Sequence, residues 1–533
     1  MSTKTSKYKY WNKKGKPGPW DYIIIGSGMG GMTAAAMLTK LGKRVLVLEQ
    51  HYVPGGFTHT FKRKKWVWDV GVHAVGEVTQ HSMTGRLLSD LTDGRLKWTS
   101  LGDVYDEFYY PDDFKIDFPD SPRAFRDNLV KAFPDEHRAI DRYLAYAGEV
   151  AKAMKGYYLA RALPPKMRHL GDLTLGRKAQ GFLDQRTQDV VEDLTSNKKL
   201  QSLFSAQWGY YGSPPKRSSF AIQALVVRHF YHGGYYPVGG SQEIANQLLK
   251  TVADGGGWTR ISTDVEEILI EDGQAVGVRL KDGEEIRAGR VISAAGVMST
   301  VGRLLPESSQ REEWVDEIKQ LNPAPAHVCL YLGFKGDIRE AGASSANKWF
   351  YGTWDPNYSD WMVEPDKELP DVPVLYCSFP SLKDPLHDPG PDQLHTGEVV
   401  TFVPWEIFNE WKNTRWQKRG ESYDAFKKRM EDKILENFLE RMPGLRDKLE
   451  YVELSTPLST DYFCRPMAGS IYGIEPTPER FRNPWLRPRS PIGNLLMAGS
   501  EVTSVGVMGA MMGGVLAATS AEPVDSLKLL RHT

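Results

Sequence analysis

Residues 21–56 read DYIIIGSGMGGMTAAAMLTKLGKRVLVLEQHYVPGG, and this stretch decides the fold. An apolar run, Tyr22 to Ile25, leads into G-x-G-x-x-G on Gly26, Gly28 and Gly31; Ser27 lies inside the motif. A small-residue helix follows, then a second apolar run from Val45 to Leu48 that ends at Glu49. In such a unit the first glycine makes the tight turn, the second lets backbone approach a pyrophosphate, and the third lets helix pack on strand. The unpaired N–H groups and dipole at the helix N-terminus favour the phosphate charge. Glu49 lies near the ~20-residue spacing at which an acid accepts hydrogen bonds from an adenosine ribose, and its charge disfavours a 2′-phosphate there. Strand, glycines, helix, strand and acid in this order predict a nucleotide-binding β-α-β unit, with FAD and NAD both open at this point.

The chain has 533 residues, enough for about three to four domain equivalents and a large core. Lys plus Arg equals Asp plus Glu, so no global field draws it to nucleic acid. Its three cysteines, Cys329, Cys377 and Cys464, lack C-x-x-C spacing and indicate neither a disulfide framework nor a metal site. His229 and His232 have no completing ligands either, so no metal is expected. The N-terminal MSTKTSKYKYWNKKGKPGPW is basic and polar, without the apolar segment of a secretory signal; residues 1–20 read as a flexible arm. The longest uncharged stretch, between Glu501 and Glu522, is glycine-rich and reads as a buried helix rather than a membrane span.

Two later segments repeat the logic of the first. In residues 235–296, Ser241 is a candidate N-cap for a helix that ends before Gly255, and Asp272-Gly273 and Asp282-Gly283 are hairpin signals in a three-stranded meander. The meander leads to a buried strand, Arg290 to Ala294, closed by Gly296. In residues 492–519, a strand from Leu495 to Ala498 and Gly499 presents Glu501, and a small-residue helix begins near Gly506. The intervening residues 86–232 read as mostly helical, and residues 306–484 mix strands with an amphipathic helix over ESYDAFKKRMEDKILENFLERM. The economical architecture is α/β: a discontinuous Rossmann-like domain over 21–85, 233–305 and 485–533, with 86–232 and 306–484 inserted as an α+β substrate domain.

The glycine motif, the meander ending in VISAAG and the C-terminal AGSEV and GVMGA together resemble the FAD-dependent family that contains phytoene desaturases, carotenoid isomerases and retinol saturases. The resemblance covers residues 20–520 and is strongest to the retinol saturase branch, on LEQHYVPGGFTHTF (48–61), WDVGVHAVG (68–76), YYGSPPKRSSFA (210–221) and GGYYPVGGSQEIA (233–245). The chain departs from that branch at Phe57-Thr58, where cysteines are usual, at Glu501, where Asp is usual, and in lacking a secretory segment. The resemblance implies FAD, held in a domain of the glutathione-reductase and amine-oxidase type. It implies Glu49 and Gln50 at the adenosine ribose, Gly55 and Gly56 beside the pyrophosphate, Val265 on adenine, and Glu501 at the ribityl or pyrophosphate region. It also directs the helix N-terminus at Val507 and Met508 towards the isoalloxazine.

Reduced flavin delivers hydride to a polyene carbon and oxidised flavin removes it. Saturation also needs a proton. His73, in the D-x-G-x-H of Asp69, Gly71 and His73, is the preferred donor, with an unperturbed pKa of about 6.5; packing or orienting the flavin is its alternative role. His59 is the second candidate, with the same alternative. Tyr235 and Tyr236 are candidates for lining a substrate tunnel or for core. Three functions stay open: reduction of a double bond in a lipophilic polyene, desaturation or cis–trans isomerisation of a carotenoid or fatty acyl chain, and lipid binding without turnover. NAD(P)H is an expected transient electron donor. A lipophilic substrate implies peripheral membrane contact from the cytoplasmic side, with LARALPPKMRHLGDLTLG (159–176) as the candidate segment and an ordinary helix pair broken at Pro164-Pro165 as its alternative.

Overall fold

A computed structural model of the chain describes residues 10–358 and 360–530. The nucleotide unit forms as its sequence dictates. Tyr22–Ile25 and Val45–Leu48 are parallel neighbours, joined by the helix Met29–Lys40. They lie inside a six-stranded parallel sheet whose order is Trp11–Asn12, Trp258–Arg260, Val45–Leu48, Tyr22–Ile25, Arg290–Ser293, Leu495–Met497. Both faces are covered, which is why these strands read as unbroken apolar runs. Ile24, Val47 and Ile292 pack against the helices Met29–Lys40, Gln242–Asp254 and Gly506–Ala521. Ile23, Leu46 and Val291 pack against the meander of Val265–Glu271, Gln274–Leu280 and Glu285–Arg287.

A seven-stranded sheet forms the second half. Its order is Leu449–Ser455, Ala326–Lys335, Leu394–Val403, Val374–Ser378, Asn347–Tyr351, Val104–Tyr110, Phe114–Pro119, and only the pairing of Asn347–Tyr351 with Val104–Tyr110 is parallel. One face carries Tyr331, Trp349, Tyr376 and Phe402 into a core shared with the helices His137–Ala162 and Phe220–His229. The other carries Leu330, Leu375 and Val399 against the helix Glu421–Arg441 through Phe426, Met430, Ile434 and Phe438.

Three expectations are corrected. Residues 10–20 are no free arm: Trp11–Asn12 adds an edge strand beside Trp258–Arg260, and Trp20 is buried, while the first nine residues lie outside the described part. Residues 86–232 are not uniformly helical, because Trp98–Ser100, Val104–Tyr110 and Phe114–Pro119 are strands, and the last two complete the sheet begun in residues 306–484. Ser241 precedes its helix but makes no side-chain cap; its hydroxyl donates to Asp69 at 2.5 Å.

Candidate functional site

One continuous cavity runs from the glycine turn of the parallel sheet to the face of the seven-stranded sheet. At the nucleotide end, Gly26 holds φ +93°, the positive value its tight turn requires. A Cβ on Gly31 would lie 2.1 Å from the Gly26 carbonyl oxygen, so helix and turn touch there. Gly28 differs: it lines the cavity, and a Cβ on it would meet no protein atom. The helix that starts beside it has no side-chain cap, leaving its N–H groups free for a ligand. Gly30 packs on Gly499, which joins the first and last glycine segments.

Glu49, buried at the end of its strand, accepts Ser27 N–H at 2.9 Å and Ser27 Oγ–H at 2.6 Å on one oxygen, and His51 N–H at 2.7 Å on the other. Burial pushes its carboxyl up, and those bonds oppose the shift. Ser27 does not line the cavity; it orients Glu49, and its hydroxyl also accepts Gly55 N–H at 3.0 Å. Gly31 and Gly55 likewise lie beneath the cavity wall, whereas Gly26, Gly28, Gln50, Gly56, Val265 and Gly296 form part of it. Gln50 turns its amide to the Phe463 carbonyl at 3.0 Å. His59 lies against this nucleotide end, its Nδ1 2.6 Å from the Gly56 carbonyl, which makes it a brace for the paired glycines. Burial lowers its pKa; His51, 4.8 Å away between ring centres, is lowered to about 4 by burial and by His59.

At the late acid, Glu501 lines the cavity, accepts Met298 N–H at 3.1 Å, and is raised by burial against the opposing charge of Arg480. Beyond it, the helix Gly506–Ala521 presents an uncapped N-terminus at which Gly499, Val507 and Met508 line the cavity. An open glycine face, two uncapped helix N-termini and two buried acids on one cavity fit a dinucleotide such as FAD, whose diphosphate and reducible ring are the groups such donors favour.

The far end is a chamber walled by Ile222, Val226, Trp349 and Phe402, with His73, His327, Tyr210, Tyr376 and Tyr472 among its polar groups. Sequence reasoning found His73 but missed what stands behind it. His73 Nδ1 lies 2.8 Å from Glu398 Oε2. Tyr210 donates to Asp106 at 2.7 Å, and Asn347 donates to the same oxygen at 2.9 Å. Lys383 donates to the His73 carbonyl at 2.8 Å, to Ser378 Oγ at 2.7 Å and to Asn347. Burial drives the acids up, Asp69 to about 6, Asp106 to about 7 and Glu398 to about 8, and drives Lys383 down to about 8. His73 falls to about 3 through burial and the Lys383 charge, so its imidazole is neutral. Glu398 and Lys383 lie over 300 residues downstream of His73, and Asp106 and Asn347 face each other across paired strands, so no local pattern links them. Tyr235 and Tyr236 do not line the cavity; Tyr236 is buried and donates to Asp69 at 2.5 Å. His229 accepts Gly76 N–H at 2.7 Å at the cavity edge.

The flavin-containing amine oxidoreductase model matches residues 29–521. The chain is 32% identical over 523 residues to all-trans-retinol 13,14-reductase of Danio rerio, covering 94% of this chain and 85% of that protein. It is 26% identical over 478 residues to the chloroplastic prolycopene isomerase of Daucus carota, covering 87% and 73%. Among solved structures, putrescine oxidase bound to putrescine superposes with a TM-score of 0.61 at 16% identity over 95% of this chain and 99% of that one, a likeness of fold.

Proposed function

We propose that this chain, which belongs to the flavin-containing amine oxidoreductase family and is an FAD-dependent oxidoreductase of carbon–carbon double bonds, saturates one such bond in a lipophilic polyene. The observation that carries the reading is the single cavity that joins a dinucleotide cradle to an aromatic chamber ending on His73. Bound FAD would supply hydride exchange with a substrate carbon. The chain supplies the rest. Gly28 and the N-terminus of Met29–Lys40 would hold the diphosphate, Glu49 the ribose, and Val507 and Met508 the ring edge. The chamber's apolar walls exclude water and align the polyene by shape. His73 presents its free ring edge to the carbon that takes a proton. The all-trans-retinol reductase relative favours saturation over the isomerisation named for the carrot relative.

The deciding experiment is to reduce the flavin-loaded protein anaerobically, mix it with retinoids, carotenoids and unsaturated fatty acids, and follow the oxidised-flavin band together with the products. Reoxidation with a saturated product is expected. Isomerised lipid without reoxidation establishes the isomerase reading, and lipid bound with neither change establishes a binding protein. We assign the reducing equivalents to a transiently docking nicotinamide, checked by anaerobic stopped-flow mixing with NADH and NADPH. We also propose peripheral membrane contact. Leu159, Leu170 and Leu173 are exposed, Lys166 lies among them in sequence, and Tyr158, next to Leu159, lines the cavity. Among the described residues no helix is long and apolar enough to cross a membrane.

A further inference from the structure

The buried acids behind the chamber are not equivalent. Asp69 accepts three bonds, from Tyr236 Oη–H at 2.5 Å and from Ser241 through its hydroxyl at 2.5 Å and its N–H at 3.3 Å. That many donors favour a carboxylate. Glu398 accepts one, from Asp69 N–H to Oε1 at 2.9 Å. Its Oε2 is buried, has no aligned donor, and has His73 Nδ1 2.8 Å away, itself buried and without an aligned partner. The single ammonium, Lys383, spends its hydrogens on the His73 carbonyl, Asn347 and Ser378, none of them an acid. One buried cation facing three acids leaves the least-bonded acid neutral.

We infer that Glu398 is the positioning residue that reprotonates His73: once bound substrate turns the ring into line with Oε2, the carboxyl hydrogen on Oε2 passes to Nδ1 as the hydrogen on Nε2 passes to the substrate carbon. The imidazole stays neutral and changes tautomer, and Glu398 becomes a carboxylate held by Asp69 N–H and the field of Lys383. The carbon takes the proton onto the electron pair of the former π bond, and its neighbour would take the hydride that a bound reduced flavin supplies. After product leaves, a solvent proton taken up at Nε2 of His73, which lines the cavity, returns the Nδ1 hydrogen to Glu398 and so restores both the carboxyl and the starting tautomer. The carbon acceptor rests on the saturase reading; the resting state of the pair does not.

Of the groups that surround Glu398, Lys383 shares its titration range. Burial raises the Cys329 thiol and the Tyr331, Tyr376 and Tyr236 hydroxyls well above their ordinary ranges, so they stay protonated. Asp69 is raised to about 6, while Lys383 at about 8 overlaps Glu398 and titrates with it as a coupled pair.

Nitrogen-15 histidine NMR of the flavin-loaded wild type, with His73→Gln for assignment, tests the resting state without substrate. The His73 ring hydrogen is expected on Nε2 at neutral pH, moving to Nδ1 as the pH rises through about 8. A hydrogen already on Nδ1 at neutral pH overturns the proposal. In turnover, Glu398→Gln retains a bond to each neighbour but has no acid to give. It is expected to lower kcat on the order of 100-fold with KM within about twofold, and to remove the limb near pH 8. An unchanged kcat and limb overturn the proposal. If Glu398→Gln does not fold, the NMR of the wild type still decides. A wild type that turns over no lipid refutes the saturase reading, while the tautomer still reports on the pair.

Discussion

Gly28 and Gly31 are three residues apart and carry different burdens. Gly28 has φ −65°, which any residue adopts, and a Cβ there would project only into the cavity. Gly31 cannot take a Cβ without driving it into the Gly26 carbonyl at 2.1 Å. Gly28→Ala is therefore expected to keep the apoprotein melting temperature within a degree or two and weaken FAD at least tenfold, read by flavin fluorescence on titration into apoprotein. Gly31→Ala is expected to lower the melting temperature of the apoprotein itself, by an overpacking cost of about 1–3 kcal/mol. Equal FAD affinity in Gly28→Ala and wild type would remove the diphosphate from this turn. At this scale the sequence was legible where a residue's task is set by its neighbours in the chain: Gly26, Gly28, Gly31 and Glu49 stand where the spacing put them. Ser27 and Gly55 were legible in place but not in task, because the bond between them spans two turns.

Elements were legible in proportion to how uniform their faces are. The four-residue strands of the parallel sheet, buried on both sides, read directly. The hairpin of Val104–Tyr110 and Phe114–Pro119 did not, although Asp112 and Asp113 both take the positive φ of a tight turn. Its inward face carries Asp106, Phe108 and Tyr110, and a buried acid in that row breaks the two-residue period by which strands are recognised. That acid stands behind Tyr210 at the chamber, so the pattern failed at a site residue. The segment Arg168–Thr174 poses the opposite case, a short helix with Leu170 and Leu173 exposed for no reason internal to the fold. If it docks on lipid, Leu170→Asp with Leu173→Asp should reduce co-flotation with anionic liposomes several-fold while leaving the melting temperature unchanged, since neither side chain is buried. Unchanged flotation removes the segment from any membrane role.

For the whole molecule, formal charges cancel, so its pH response is set by the groups it buries rather than by net charge. Among the described residues five histidines have folded pKa values lowered mainly by burial: His51 and His59 at the nucleotide end, His73 and His327 at the chamber, with His327 lowered to about 4, and His395 on the strand Leu394–Val403. Below about pH 6.5 the unfolded chain takes up protons at these sites and the folded chain does not, so stability falls as the pH drops from there towards 4. The buried acids act with the opposite sign. Asp106 and Glu398, raised to about 7 and 8, keep protons in the fold that the unfolded chain has already lost above about pH 4.5, so their contribution falls as the pH rises through 7 to 8. Each group changes stability by about 1.4 kcal/mol per pH unit across its window. Between pH 6.5 and 8 the raised acids set the slope, and below about 4.5 the histidines are joined, with the same sign, by ion-paired carboxylates such as Asp337, which Arg339 holds down to about 2. The melting temperature of the apoprotein should therefore peak on the mildly acidic side of neutrality and decline in both directions, on the alkaline side as far as about pH 8, above which Lys383, lowered to about 8, contributes with the opposite sign. Calorimetry from pH 4 to 9 at constant ionic strength checks this, with Glu398→Gln as the comparison: its decline above neutrality should be shallower, because one of the two acids that produce it is gone. A maximum at or above pH 8, or a Glu398→Gln curve parallel to the wild type, would mean that Glu398 is ionised at rest and that Lys383 governs the chamber's charge alone.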